Sequence, residues 1–124
     1  MKLSVARVAP RDGLACAHCG AEDELSVQHR VNKGMGGSKR LERLSNGLIL
    51  DVRYNVWIEQ DAEEGATATR MGWKVSKWDR RDLTTIPYWH WPTAQWWLAD
   101  DEGGRRPATR TEVAEHLAFV AARA

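Results

Sequence analysis

Cysteine occurs only twice in the 124 residues, at Cys16 and Cys19 of the run Cys16-Ala17-His18-Cys19-Gly20. Two thiols at CxxC spacing, closed by a glycine, suit a metal knuckle or a redox pair. Confining both cysteines to one such motif fits a reducing compartment better than a structural disulfide. The redox reading is the weaker, because no strand–helix–strand pattern follows the motif. Further along, Gln28 and His29 close a short alternating segment. An imidazole titrates near neutral pH, so His29 is a candidate to take a proton from water. Asn46 stands just before the apolar triplet Leu48-Ile49-Leu50, and Asn55 stands shortly after it.

These residues need elements to hold them. Residues 25–29 alternate enough for a strand. Residues 31–45 carry Gly34, Gly36 and Gly37 among Lys and Arg, too long and irregular for a hairpin turn, and read as an Ω-type functional loop. A turn at 45–47 leads to a buried strand at 48–50. A helical pattern starts at Val52, with an interruption expected at Gly65 and an end at Gly72. Upstream, Leu3, Val5 and Val8 alternate weakly, which suggests a short strand or a loose arm before the turn at 10–13. Downstream, residues 73–76 alternate as a strand and 79–85 form a charged connection. Residues 86–91 and 95–98 read as an aromatic hairpin around Pro92-Thr93-Ala94. Thr109 and Glu112 form a capping box opening a helix that runs to about Arg123.

The chain holds seven tryptophans and a single phenylalanine. Most of the indoles are expected to fill the core. In a hairpin Trp89 and Trp91 would share a face while Trp96 and Trp97 point apart. One of that second pair is then expected at the surface, where it could meet a partner protein or stack on a base.

Net charge is only +1, but it is unevenly spread. Residues 29–55 carry six Lys or Arg (Arg30, Lys33, Lys39, Arg40, Arg43, Arg53) against two acids, Glu42 and Asp51. That concentrates positive potential where a phosphate backbone could lie, and these six are the expected DNA contacts. No apolar run approaches the roughly 18 residues of a membrane span, and the first residues lack an apolar stretch of signal-peptide length. A cytoplasmic protein without a membrane partner is expected.

The order of these features resembles the HNH endonucleases, also called ββα-metal or His-Me finger nucleases. It is most similar to the small phage-encoded ones. The resemblance spans residues 13–87, with the detailed motif match in its first half. It rests on Gln28-His29, Gly34-Met35-Gly36-Gly37, Asn46-Gly47-Leu48-Ile49-Leu50, Asn55, and Met71-Gly72-Trp73-Lys74-Val75. It implies an α+β chain: a small ββα-metal finger with its CxxC knuckle over residues 1–72, then a Trp-rich β-hairpin and C-terminal helix over 73–124 packed on it. It also implies a metal-dependent endonuclease hydrolysing DNA phosphodiester bonds in phage DNA processing or packaging, working in the host cytoplasm.

By position in that family's motif, His29 falls on the general base, Gln28 on the first metal ligand, Asn46 on the asparagine that pins the loop and base, and Asn55 on the last metal ligand. The implied cofactor is Mg²⁺ or a similar divalent ion. Gln28 and Asn55 are neutral, so binding would be weak and would draw on substrate phosphates. Phage relatives often close a structural zinc with a second CxxC, which would fall here at Asp51 and Tyr54. Cys16 and Cys19 alone cannot make a four-cysteine zinc site, and ligand count argues against zinc unless His18 or Asp51 substitutes. The alternative reading is a catalytically impaired HNH-derived module that binds DNA, or a host or phage protein, through the basic loop and exposed tryptophans.

Overall fold

The computed structural model describes residues 1–32 and 39–124. Strand β1 (Leu25–His29) pairs antiparallel with β2 (Gly47–Asp51), in register from Leu25 opposite Asp51 to His29 opposite Gly47. Helix α2 (Val52–Gln60) follows without a loop, because Asp51 caps it: its Oδ1 accepts from the Tyr54 amide at 2.9 Å. Residues 47–50 are buried on both faces, as an unbroken apolar run demands. Leu48 and Leu50 join a cluster with Tyr54, Ile58, Trp73 and Tyr88, while Ile49 faces Leu3 and Val8.

That second contact corrects the expectation for the N-terminus. Residues Val5–Asp12 form a helix, α1, not a strand or an arm. Positions 3, 5 and 8 fit either period. The Ser4 hydroxyl decides for helix by accepting from the Arg7 amide at 3.2 Å, and Leu3 and Val8 gain burial against Ile49. Asp12 then anchors the end of α1 deep in the protein. It pairs with Arg11 at 2.7 Å and Arg105 at 3.1 Å and accepts from the Tyr88 hydroxyl at 2.8 Å.

The helical stretch after β2 breaks at Asp61 rather than at Gly65. Asp61 closes α2 by donating its amide to the Trp57 carbonyl at 2.9 Å, and its Oδ2 caps α3 (Ala62–Arg70) by accepting from the Glu64 amide at 2.8 Å. Gly65 lies inside α3, where a Cβ would stand 3.1 Å from the Ile58 carbonyl. Gly72 does end the helical region, at φ +78°, and a Cβ there would stand 2.0 Å from the Pro87 carbonyl. Residues 73–76 form no strand, only a parallel bridge between Val31 and Val75.

The aromatic hairpin is present as β3 (Tyr88–His90) and β4 (Gln95–Ala99), and a third strand, β5 (Arg105–Pro107), extends it. Helix α4 (Arg110–Ala121) opens with the expected capping box of Thr109 and Glu112. Trp91 falls in the turn, so it does not share a face with Trp89. It is exposed, while Trp96 and Trp97 are both half-buried; the other exposed indoles are Trp57 and Trp78. The chain is a small α+β fold. Its main apolar cluster draws on both sides of the 72/73 boundary, from Cys16 and Leu48 to Tyr88 and Ala99. Among the described residues no helix is long and apolar enough to cross a membrane.

Candidate metal centre and nucleic-acid interface

The knuckle turn is fixed by its backbone. Cys16 donates its amide to the Ala21 carbonyl at 2.8 Å, Gly20 donates to the Cys16 carbonyl at 2.8 Å, and Ala17 donates to the Ile49 carbonyl of β2 at 2.9 Å. This sets the turn against the β2–α2 junction, where Asp51 sits. One ligand atom from each of Cys16, His18, Cys19 and Asp51 lies within 4.8 Å of every other. The Cys19 thiol donates to Asp51 Oδ2 at 3.4 Å. The His18 ring stacks flat on Tyr54, centroids 3.6 Å apart, and stands edge-on to Trp73 at 5.3 Å. Its Nδ1 is buried with no hydrogen-bond partner among the described residues. Burial pushes the Cys16 thiol up to about 11 and lowers His18. Burial also acts to raise Asp51, but the Tyr54 amide and the two thiols outweigh it and hold the carboxylate below its ordinary value. The cluster opens onto a cavity of about 620 Å³ walled by Tyr54, Trp57 and Arg53.

The residues expected to hydrolyse DNA are placed differently. His29 Nε2 lies 3.1 and 3.2 Å from the two carboxylate oxygens of Glu42, in the short 3-10 turn Lys39–Glu42. With Nε2–H donated to Glu42, the neutral ring keeps its lone pair on Nδ1. Asn46 does tie down the chain after β1: its Oδ1 accepts from the Val31 amide at 2.8 Å and its Nδ2 donates to the Leu41 carbonyl at 2.8 Å. Gln28 is buried and donates to the Trp73 carbonyl at 3.1 Å. Asn55 donates to Ser26 Oγ at 2.9 Å and shares a shallow cavity with Glu59.

Alternation along β1 puts Ser26 and Gln28 on the face toward α2 and Trp73. It puts Val27 and His29 on the face toward α1 and Glu42. The imidazole therefore leaves one face of β1, while the Gln28 amide, and the Asn55 amide that reaches Ser26 from α2, lie on the other. Magnesium prefers carboxylate ligands. Gln28 is neutral, turned inward and already hydrogen-bonded, and Glu59 beside Asn55 pairs with Lys74 at 3.4 Å. Gln28 and Asn55 do not fit a catalytic divalent ion.

Of the expected DNA contacts, Arg30 is a correction. It is wholly buried, donating through Nε to Gly72 at 2.8 Å, through Nη1 to Ser45 at 3.1 Å and Leu83 at 3.4 Å, and through Nη2 to Ile86 at 2.7 Å, all carbonyls. Burial brings it down to about 9, still above neutral pH, and the carbonyls replace the solvation water would give. Arg43 is committed to Asp101 and, at 3.4 Å, to Asp82. Lys39 and Arg40 are exposed, and Arg53 is exposed with a 3.9 Å approach to Glu24. Lys33 and the phrase 34–37 lie outside the described residues.

A cavity of about 540 Å³ beyond β1 is rimmed by Arg40, Lys77, Trp78 and Arg80, with Arg43 and Arg81 also lining it. Arg81 is held by Asp79 at 2.8 Å, whereas Arg40, Lys77 and Arg80 have no carboxylate partner among the described residues. Lys77 Nζ sits 5.0 Å above the Trp78 ring, and Trp78 is 79% exposed. As sequence, 79–85 reads as a charged connection and gives no expectation of this rim. The interleaving of cations with an indole in Lys77-Trp78-Asp79-Arg80-Arg81 was the available clue. Glu42 was missed as the partner of His29, since only the folded turn brings it there. No protein-family model, curated protein or solved structure matches this chain.

Proposed function

We propose that this chain is an HNH-type strand–strand–helix module that binds the DNA backbone rather than cutting it. The observation that carries this reading is the basic cavity, where Arg40, Lys77 and Arg80, with no carboxylate partner among the described residues, stand beside the exposed ring of Trp78, while the cavity's two carboxylates, Asp79 and Asp82, pair with Arg81 and Arg43. Cations of this kind release counterions from phosphates and position a protein on DNA without reading sequence. Trp78 supplies a face on which an unpaired base can stack. The test is retention of labelled duplex DNA across a salt series. Arg40→Ala, Lys77→Ala and Arg80→Ala should each weaken binding equally on unrelated sequences, and each should reduce the slope of log affinity against log salt by about 1. Slopes equal to the unsubstituted protein's would refute the interface.

The pairing of His29 with Glu42, and the hold of Asn46 on the following loop, favour a second reading as a DNA hydrolase. A carboxylate that fixes the tautomer of an imidazole is how a general base is oriented. Plasmid nicking with Mg²⁺, Mn²⁺, Ni²⁺ or Zn²⁺, run beside His29→Ala, separates the two. Metal-stimulated nicking that disappears in the variant would establish the hydrolase and displace the binding-only reading.

A further inference from the structure

We infer that Cys16, His18, Cys19 and Asp51 hold one Zn²⁺ ion, and that its carboxylate ligand is at the same time the N-cap of α2. The inference is independent of the DNA interface, which lies on other residues. The donor set is two sulfurs, one imidazole nitrogen and one carboxylate oxygen, all ligand types that zinc takes in tetrahedral sites. Bonds of about 2.0–2.3 Å put tetrahedral ligands about 3.3–3.8 Å apart. The four groups here already lie within 4.8 Å of one another, so small side-chain shifts close the set.

Preorganisation supports the assignment. Stacking on Tyr54 and an edge-on contact with Trp73 fix the His18 ring, and its buried Nδ1 has no hydrogen-bond partner among the described residues. A buried ring nitrogen without a partner is unusual, and a metal bond would satisfy it. The two oxygens of Asp51 divide their work: Oδ1 receives the Tyr54 amide, and Oδ2 receives the Cys19 thiol. Zinc would displace the thiol protons to solvent and take the place of the thiol hydrogen bond, leaving the cap intact. The exposed Cys19 and the adjoining cavity give the ion a way in. Occupancy would then lock the knuckle to the first turn of α2, doing with mixed ligands what two cysteines cannot do alone.

The test uses the full chain under reducing conditions, with Co²⁺ as a spectroscopic probe for Zn²⁺. One equivalent of Co²⁺ should give tetrahedral d–d absorption with thiolate-to-metal charge transfer. Zn²⁺ should bleach both, and added Zn²⁺ should raise the melting temperature. Cys19→Ser, at an exposed position, should weaken the charge-transfer band and lower affinity. Asp51→Asn keeps a capping oxygen of equal quality but removes the anion, and His18→Phe keeps the stack but removes the nitrogen. Each should weaken Co²⁺ binding by about tenfold or more while far-UV circular dichroism stays native. Failure of the unsubstituted protein to take up one equivalent would overturn the site. Unchanged affinity and spectrum in both Asp51→Asn and His18→Phe would overturn the four-ligand assignment.

Discussion

Arg30 is the sharpest test of whether the positive charge of residues 29–55 serves the ligand or the fold. Replacing it with methionine keeps most of the stem's volume and removes the guanidinium. Four carbonyls lose a donor, those of Gly72, Ser45, Ile86 and Leu83, the last at a long 3.4 Å and also accepting from the Ile86 amide. Three well-formed bonds from a charged donor, at about 1–3 kcal/mol for each acceptor left unpaired, sum to about 3–9 kcal/mol before relaxation. Burying an apolar tail in place of a desolvated cation returns part of this, leaving a loss of about 3–5 kcal/mol. A chain of this size has about 6–18 kcal/mol in total. At about 3–5 °C per kcal/mol, the melting temperature should fall by about 10–20 °C. Scanning calorimetry reads the shift, and DNA retention measured well below the lowered midpoint should match the unsubstituted protein. A melting temperature within about 3 °C of the original, or lost DNA retention in a folded Arg30→Met, would refute the structural role.

Other residues give independent checks. His116 is buried with Arg81 Nη1 donating to its Nδ1 at 3.0 Å and its own Nε2–H donating to the Arg70 carbonyl at 2.9 Å. Burial is the largest cause that lowers it, reinforced by Arg81 and Arg30 and opposed by the Arg70 carbonyl and Asp79. The unfolded chain takes the proton near pH 6.5 and the folded chain resists it, so stability should fall as pH drops from 7.5 to 5.5; His116→Gln, compared by melts at both pH values, should flatten that fall. Asp12→Asn leaves Arg11 and Arg105 facing a neutral amide and should cost about 3–5 kcal/mol in denaturant unfolding. Gly72→Ala combines a φ of +78° with a clash against the Pro87 backbone and should destabilise by more than about 3 kcal/mol, so a near-neutral melt would contradict the packing of 71–73 on 87–88.

Local chemistry was legible where one principle acted alone. The alternation of 25–29, the apolar triplet at 48–50 and the Thr109–Glu112 box appear where the residues put them, and the aromatic hairpin forms with its first strand shortened to Tyr88–His90. The break at Asp61 was not legible, because glycine is the louder helix breaker in sequence, whereas an aspartate can close one helix with its amide and open the next with its carboxylate. Strand β5 was hidden in a Gly-Arg-Pro stretch with no alternation to mark it, and it forms because β4 offers an open edge. Asp51 was visible as a departure from a cysteine pattern. Its convergence with His18 depended on the backbone bond between Ala17 and Ile49, which no spacing rule encodes.

The N-terminal helix bears directly on the site. Were the first residues a loose arm, only one face of β1 would have a cover, and Gln28 and Arg30 could face solvent. Helix α1 excludes that arrangement, because its Val8, with Leu3 just before the helix, covers the face of Leu25 and Val27 while Trp73 and the segment 83–86 cover the other. A strand covered on both sides must satisfy every polar side chain internally. Gln28 and Arg30, two positions apart and so on one face, do this with backbone carbonyls as acceptors. His29 meets the same demand on the opposite face through Glu42, the carboxylate that also accepts from the Leu3 amide at 2.7 Å at the foot of α1. A carboxylate at position 28 would point at the Trp73 carbonyl and be repelled; an amide is satisfied there. The same pleat that hides Arg30 therefore explains why a neutral side chain suits position 28.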